Sequence, residues 1–363
     1  MERDYRLTPR KQDILRAVIR DYILTAEPVG SRTLSKKYDL GLSPATIRNE
    51  LSDLEDEGLL RQPHTSAGRI PSDHGYRLFV DTLMEREAMP DERRNELERW
   101  PLRGEDLSDL LQQAAKLTAL LSGCTAMVRP PKRANSRVKF IQLTPVGEQD
   151  ILMVLLTDQG QVSNQLVRLP SPMALDELVL IANFLNEQLR DKPLDQLTET
   201  ALNEVNGQLA SYQDFLRALL GRVQPPSEGE RLYVSHQSYL ATQPEFSDVG
   251  KVGRLLSLLE REPMMIRVMD AIASNGAEVR VAIGSENPVP DLQECSLVTA
   301  TYRLGDRVLG ELAVIGPTRM HYSQAIAAVE LMADRLTAAL TELYGLESSP
   351  LGGHLGRRRT QGG

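Results

Sequence analysis

LSPATIRNELSDLEDEG, residues 42–58, decides how the first part of this chain is read. Ser43-Pro44 is a helix start, because serine caps free amides and proline tolerates the first helical position. Ile47, Leu51 and Leu54 then recur at helical spacing and form one apolar stripe. Gly58 suits the left-handed residue that closes a helix. The stripe leaves Ala45, Thr46, Arg48, Asn49 and Ser52 facing outward. Small and polar groups near a helix N-terminus are what a DNA major groove admits. Arg48 has the geometry to donate two hydrogen bonds to guanine, and Asn49 to pair with adenine. Ser43 and Thr46 are expected to hold phosphate near the positive end of the helix dipole.

Working outward, Thr8-Pro9 opens an earlier helix with Ile14, Leu15, Val18, Ile19, Tyr22 and Ile23 on one face. Ser31 is expected to cap a short second helix carrying Leu34, and Gly41 supplies the turn before Ser43. Two short helices joined by such a turn, packed on a longer first one, predict a helix-turn-helix. Beyond Gly58, residues 59–62 and 69–71 read as two short strands around the loop Pro63–Gly68, a hairpin wing. His64, Ser66 and Arg69 sit where such a wing would touch DNA backbone or minor groove. Ser72-Asp73 caps the helix that leads out of this head.

Charge fits only when the chain is divided. Residues 1–80 hold 13 Lys/Arg and 12 Asp/Glu, a balance of +1, and the remainder holds 29 and 38, a balance of −9, so the acidity of the chain lies outside the head. Apolar content of 41% with 25% charged residues indicates a globular chain, and 363 residues predict two or three domains. Neither a spanning apolar run nor a signal-peptide core is visible, so a cytoplasmic protein without a membrane role is expected. Cys124 and Cys295 exclude a disulfide framework and read as core thiols, and the five histidines lack paired metal spacing. Without a phosphate-binding glycine loop, nucleophile elbow or HExxH, the expectation is no enzyme and no cofactor.

Residues 84–105 are charge-rich with Pro90 and Pro101, and read as a linker. A helix over 107–121, strands over 124–128, 138–143, 151–157 and 162–169, and helices over 174–189 and 198–221 follow. A helical stretch at 249–274, strands at 278–283, 297–304 and 308–315, and a helix from Tyr322 to Tyr344 close the pattern. Antiparallel strands interrupted by helices predict a multi-domain α+β protein with an insertion in its second domain. The insertion is placed at 170–232, with a start that could lie earlier. The stripe Leu202, Val205, Leu209, Tyr212, Phe215, Leu216 and Leu219 is either core or interface.

Three strings in the head, EPVGSRTL (27–34), LSPATIRNE (42–50) and QPHTSAGRIP (62–71), resemble the heat-inducible transcription repressor family HrcA. So do QPEF (243–246), IGSEN (283–287) and VIGPTRM (314–320), and the resemblance spans about residues 3–347. It implies a repressor of chaperone operons that binds an inverted-repeat operator on double-stranded DNA as a homodimer and loses activity on heat stress. It also implies a winged helix-turn-helix at 1–83, a GAF-like domain split into 106–169 and 233–347, an inserted dimerisation segment at 170–232, and modulation by a chaperonin. Residues 348–363 are expected to be a disordered basic tail. The alternatives are a small-molecule-responsive regulator with the same head, and an interaction module whose winged helix no longer binds DNA.

Overall fold

A computed structural model describes residues 7–65, 67–85, 102, 104, 107–131, 137–158, 162–169, 172–194, 216, 232–273, 279–305 and 307–343. The chain begins with helices α1 (Pro9–Thr25), α2 (Ser31–Lys37) and α3 (Pro44–Asp56). A two-stranded antiparallel ribbon follows, β1 (Leu60–Arg61) and β2 (Ile70–Pro71), then α4 (Asp73–Leu78), which continues as a π-turn over Phe79–Leu83. The capping devices read in the sequence form. Thr8 accepts from the Lys11 amide at 3.4 Å, Ser43 from the Thr46 amide at 3.1 Å, and Ser72 from the Gly75 amide at 3.0 Å. Ser31 differs: it is the first residue of α2, and the cap is Gly30 without a side-chain bond. Gly41 and Gly58 both hold the positive φ that their turns require. Ile14, Leu15, Val18, Ile19, Leu34, Ile47, Leu51 and Leu54 are buried together, so the helical stripes meet as one core.

The second part runs α5 (Leu107–Ser122), β3 (Thr125–Arg129), β4 (Val138–Pro145), β5 (Asp150–Thr157), β6 (Val162–Arg168) and α6 (Leu175–Leu189). After Leu232 come β7 (Tyr233–Ser235), α7 (Ser238–Ala241), α8 (Val249–Leu259), α9 (Glu262–Ala273) and β8 (Val279–Ile283). The long strands β9 (Cys295–Leu304) and β10 (Arg307–Pro317) and helix α10 (Tyr322–Leu343) complete it. The stretch expected as one helix at 249–274 is two, because Pro263 carries no N–H to continue the ladder from α8.

Five strands form one antiparallel sheet in the order β7-β3-β10-β9-β8. Alternate residues face opposite layers. Ala126, Val128, Val298, Ala300, Leu312 and Val314 pack on α5 and α10, in the same cluster that contains the head core. Met127, Leu297, Ala313 and Ile315 point the other way, toward Leu255, Met265 and Met269 of α8 and α9.

β4, β5 and β6 form a separate three-stranded antiparallel sheet with its own core against Leu178, Ile181, Leu185 and Leu189 of α6. The expected boundary at 169/170 therefore does not follow the sheets, whose partition falls between residues 131 and 137. The buried positions of β5, Ile151, Met153 and Leu155, face α6 and not the helices of the larger sheet. The expected 198–221 helix lies outside the described residues except for Leu216, which joins this second core. The 348–363 tail also lies outside them, as does the 84–105 linker apart from residues 84, 85, 102 and 104.

Candidate nucleic-acid interface

Helix α3 is held from behind by its apolar stripe and from the sides by ion pairs to α1. Lys11 reaches Glu57 at 2.6 Å and Asp53 at 3.3 Å, and Arg10 reaches Glu50 at 3.4 Å. The hydrogen bond from Lys11 to Glu57 raises the lysine pKa above its usual range. Two acidic groups of α3 and the Glu57 carboxylate that follows it are thereby matched by cations of the first helix. The opposite face is open: Ser43, Ala45, Arg48, Asn49 and Ser52 are exposed and Thr46 is half-buried. Thr46 Oγ1 lies 2.9 Å from Ser43 Oγ, so these two hydroxyls hold each other at the helix start. The structure thus brings six of the nine expected site residues onto one short surface.

The ribbon stands beside that face. Gln62 donates from Nε2 to the carbonyls of Thr65 and Ala67, both at 3.0 Å, and the Ala67 amide donates to the His64 carbonyl at 2.9 Å. These bonds close the loop with His64 exposed on it. Ser66 lies outside the described residues.

Arg69 departs from the expectation. Its guanidinium turns back to Glu55 of α3 at 2.7 Å, and the arginine side chain is only 18% exposed. Its backbone exchanges hydrogen bonds with Val29 at 2.8 and 2.9 Å, adding a third extended segment to the ribbon. Gly68 lies against the same segment: a Cβ there would fall 2.5 Å from the Val29 backbone. Glycine is needed because two main chains touch. Arg69 therefore ties the ribbon down instead of reaching outward.

Glu55 is the residue that sequence reading missed. One oxygen accepts from Arg69 and the other from the Gln62 amide at 3.1 Å, so a single carboxylate fixes both strands against α3. The opposite charges of Glu55 and Arg69 were visible, but the register that brings them together spans 14 positions and a turn. Arg32, Lys36 and Arg61 are further exposed cations of the head that the motif reading did not single out. Among the described residues no cluster of His, Cys, Asp and Glu could hold a metal ion, and no helix is long and apolar enough to cross a membrane.

Residues 108–326 match the family described as HrcA protein C terminal domain. A heat-inducible transcription repressor HrcA from Symbiobacterium thermophilum is 41% identical over 334 residues, covering 90% of this chain and 97% of that protein. One from Gloeobacter violaceus is 42% identical over 336 residues, covering 91% and 93%. A crystal structure titled as that of a hypothetical protein superposes with a TM-score of 0.60 at 22% identity, covering 93% of this chain and 100% of the other, which supports the fold. The relatives are transcription repressors, and a helical head with an open polar helix face carried on a mixed α and β body is in keeping with that class. The chain is a member of the HrcA family, the heat-inducible transcription repressors.

Proposed function

We propose that this chain represses transcription by placing α3 in the major groove of an inverted-repeat operator on double-stranded DNA. The head then acts as a winged helix, with the β1–β2 ribbon as its wing. Ser43, Ala45, Thr46, Arg48, Asn49 and Ser52 meet DNA from α3, with His64 and Ser66 from the loop. Arg69 holds the wing in place. The observation that carries this reading is the state of Arg48 and Asn49. Both are exposed, and neither makes a side-chain hydrogen bond or ion pair within the described residues.

The homodimer of the proposal places two heads on half-sites about one helical turn, or a multiple of it, apart. The unit inserted in a GAF-like body joins the protomers. It runs from between residues 131 and 137 to about residue 232. Between the sheet and α8 and α9, Met127, Phe246, Leu255, Met265 and Met269 are buried against one another, so the small-molecule alternative needs a site outside that layer. Heat stress then acts through folding, with a chaperonin returning the repressor to its active form in the cytoplasm. Refolding yields with and without chaperonin test that step, and equal yields count against it.

Binding to an inverted repeat as a function of salt tests the DNA reading. Phosphate contacts give a steep negative slope of log affinity against log salt, about −0.9 per phosphate neutralised. Arg48→Ala is expected to cost about 1–3 kcal/mol and relax preference at one base position. Equal weakening on every sequence would remove Arg48 as a base reader.

A further inference from the structure

The three C-terminal strings that resemble the family lie far from α3 in the chain and outside its open face. All three meet the head at one junction. Arg319, from VIGPTRM, donates to Glu245 and, at 2.8 Å, to Gln243 of QPEF. Its remaining nitrogen donates to the Ile23 carbonyl of the head at 3.1 Å. That carbonyl belongs to the last turn of α1, where a cation is favoured by the unpaired carbonyls and the helix dipole. The Arg319 side chain is 13% exposed, so its guanidinium bridges three segments while mostly removed from water.

IGSEN makes the second half of the junction. Arg77, at the end of α4, donates to Glu286 and, at 2.7 Å, to the Val281 carbonyl. The Ser285 amide donates to Asp73 at 2.8 Å. Gly284 has a φ of +52°, and a Cβ on it would fall 2.4 Å from the Asp73 carboxylate. Between the two polar anchors, Tyr76 packs on Tyr322 with ring centroids 5.8 Å apart. The anchors use the end of α1 and the helix α4, and leave the reading face of α3 uncovered.

We infer that Arg319 is a positioning residue for operator recognition: it fixes the angle at which the head leaves the body, and so the spacing of the two reading helices in the dimer. This rests on the proposed reading of an inverted repeat. A full site gains over a half-site through effective concentration, which is lost when geometry forbids both heads to engage together. Arg319 touches no DNA in this account, so its removal changes spacing and not base reading.

The test uses the full chain, as wild type, Arg319→Met, Arg319→Lys and Arg77→Met. Each is titrated with a single half-site and with inverted repeats whose spacing is varied base pair by base pair. Arg319→Met is expected to bind the half-site within about twofold of wild type, to lose at least about tenfold on the native repeat, and to accept altered spacings. Arg319→Lys restores part of the spacing preference because it keeps a cation at the α1 carbonyls. Arg77→Met gives the same pattern and stands in if Arg319→Met does not fold. Unchanged spacing preference and full-site affinity in folded variants overturn the inference.

A wild type that binds neither DNA refutes the reading of α3 instead. The junction is then judged by spin labels on Thr33→Cys and Ala338→Cys, both exposed positions, in protein diluted with unlabelled chain. A head–body distance distribution as narrow in Arg319→Met as in wild type refutes the positioning role.

Discussion

Glu55→Ala separates two physical accounts of the head because they predict opposite signs. Glu55 lies near the C-terminal end of the helix proposed to enter DNA, and long-range electrostatics alone says that removing an anion beside phosphates strengthens binding. The structure says otherwise. Glu55 holds Arg69 at 2.7 Å and the Gln62 amide at 3.1 Å, and these two bonds join the ribbon to α3. A charge-assisted hydrogen bond contributes about 1.5–3 kcal/mol and a neutral one about 0.5–1.5 kcal/mol. Glu55 is 31% exposed, so solvent screens part of the ion pair, and a total of about 2–3 kcal/mol is expected. The ribbon pairs only two residues on each strand, so beyond the Val29–Arg69 bridge and the Gln62 bonds to its loop it depends on Glu55 for its seat on α3. Glu55→Ala should therefore lower the thermal midpoint of the full chain and weaken operator binding about tenfold or more at fixed salt, each 1.4 kcal/mol being one decade. Glu55→Gln, which keeps an acceptor for the Gln62 amide, should fall between. Unchanged melting with tighter binding would show that the ribbon does not depend on Glu55.

Three further outcomes follow from single contacts. Gly68→Ala forces a Cβ to within 2.5 Å of the Val29 backbone, so both Val29–Arg69 hydrogen bonds should stretch and the head should lose about 1–3 kcal/mol; denaturant unfolding with an unchanged midpoint would contradict the close approach. Ser43→Ala removes the cap of α3 and should cost about 1 kcal/mol, with Ser43→Gly costing only a few tenths, as read by chemical denaturation; equal costs would deny the cap. Burial pushes both thiols up to about 12 from 9.0, so neither Cys124 nor Cys295 should be alkylated at pH 8 until the chain unfolds. The same shift makes stability fall between about pH 9 and 12, where the unfolded chain releases those protons and the folded one keeps them. Rapid native-state labelling at pH 8 would refute the burial.

The head was legible in the sequence because its information is local. A serine followed by proline, a glycine at a turn and an apolar residue every three or four positions act within one helix, so the exposed face of α3 could be derived before any fold was known. The longer strand-like runs were equally visible, and their positions agree with the structure to within about two residues, but the three-residue edge strand β7 was too short to be read. Which sheet each strand joins was not visible, since β4 to β6 alternate much as other half-buried strands do and only pairing distinguishes them. Arg69 shows the same limit at one residue: a cation in a hairpin reads as outward-facing until the register places Glu55 opposite it. The junction among Ile23, Gln243, Glu245 and Arg319 is the extreme case, because its partners are separated by up to 296 positions. Local spacing sets what a helix or strand presents. Tertiary packing alone decides which presented groups meet each other and which remain for a partner, because that depends on distances no short window of sequence contains.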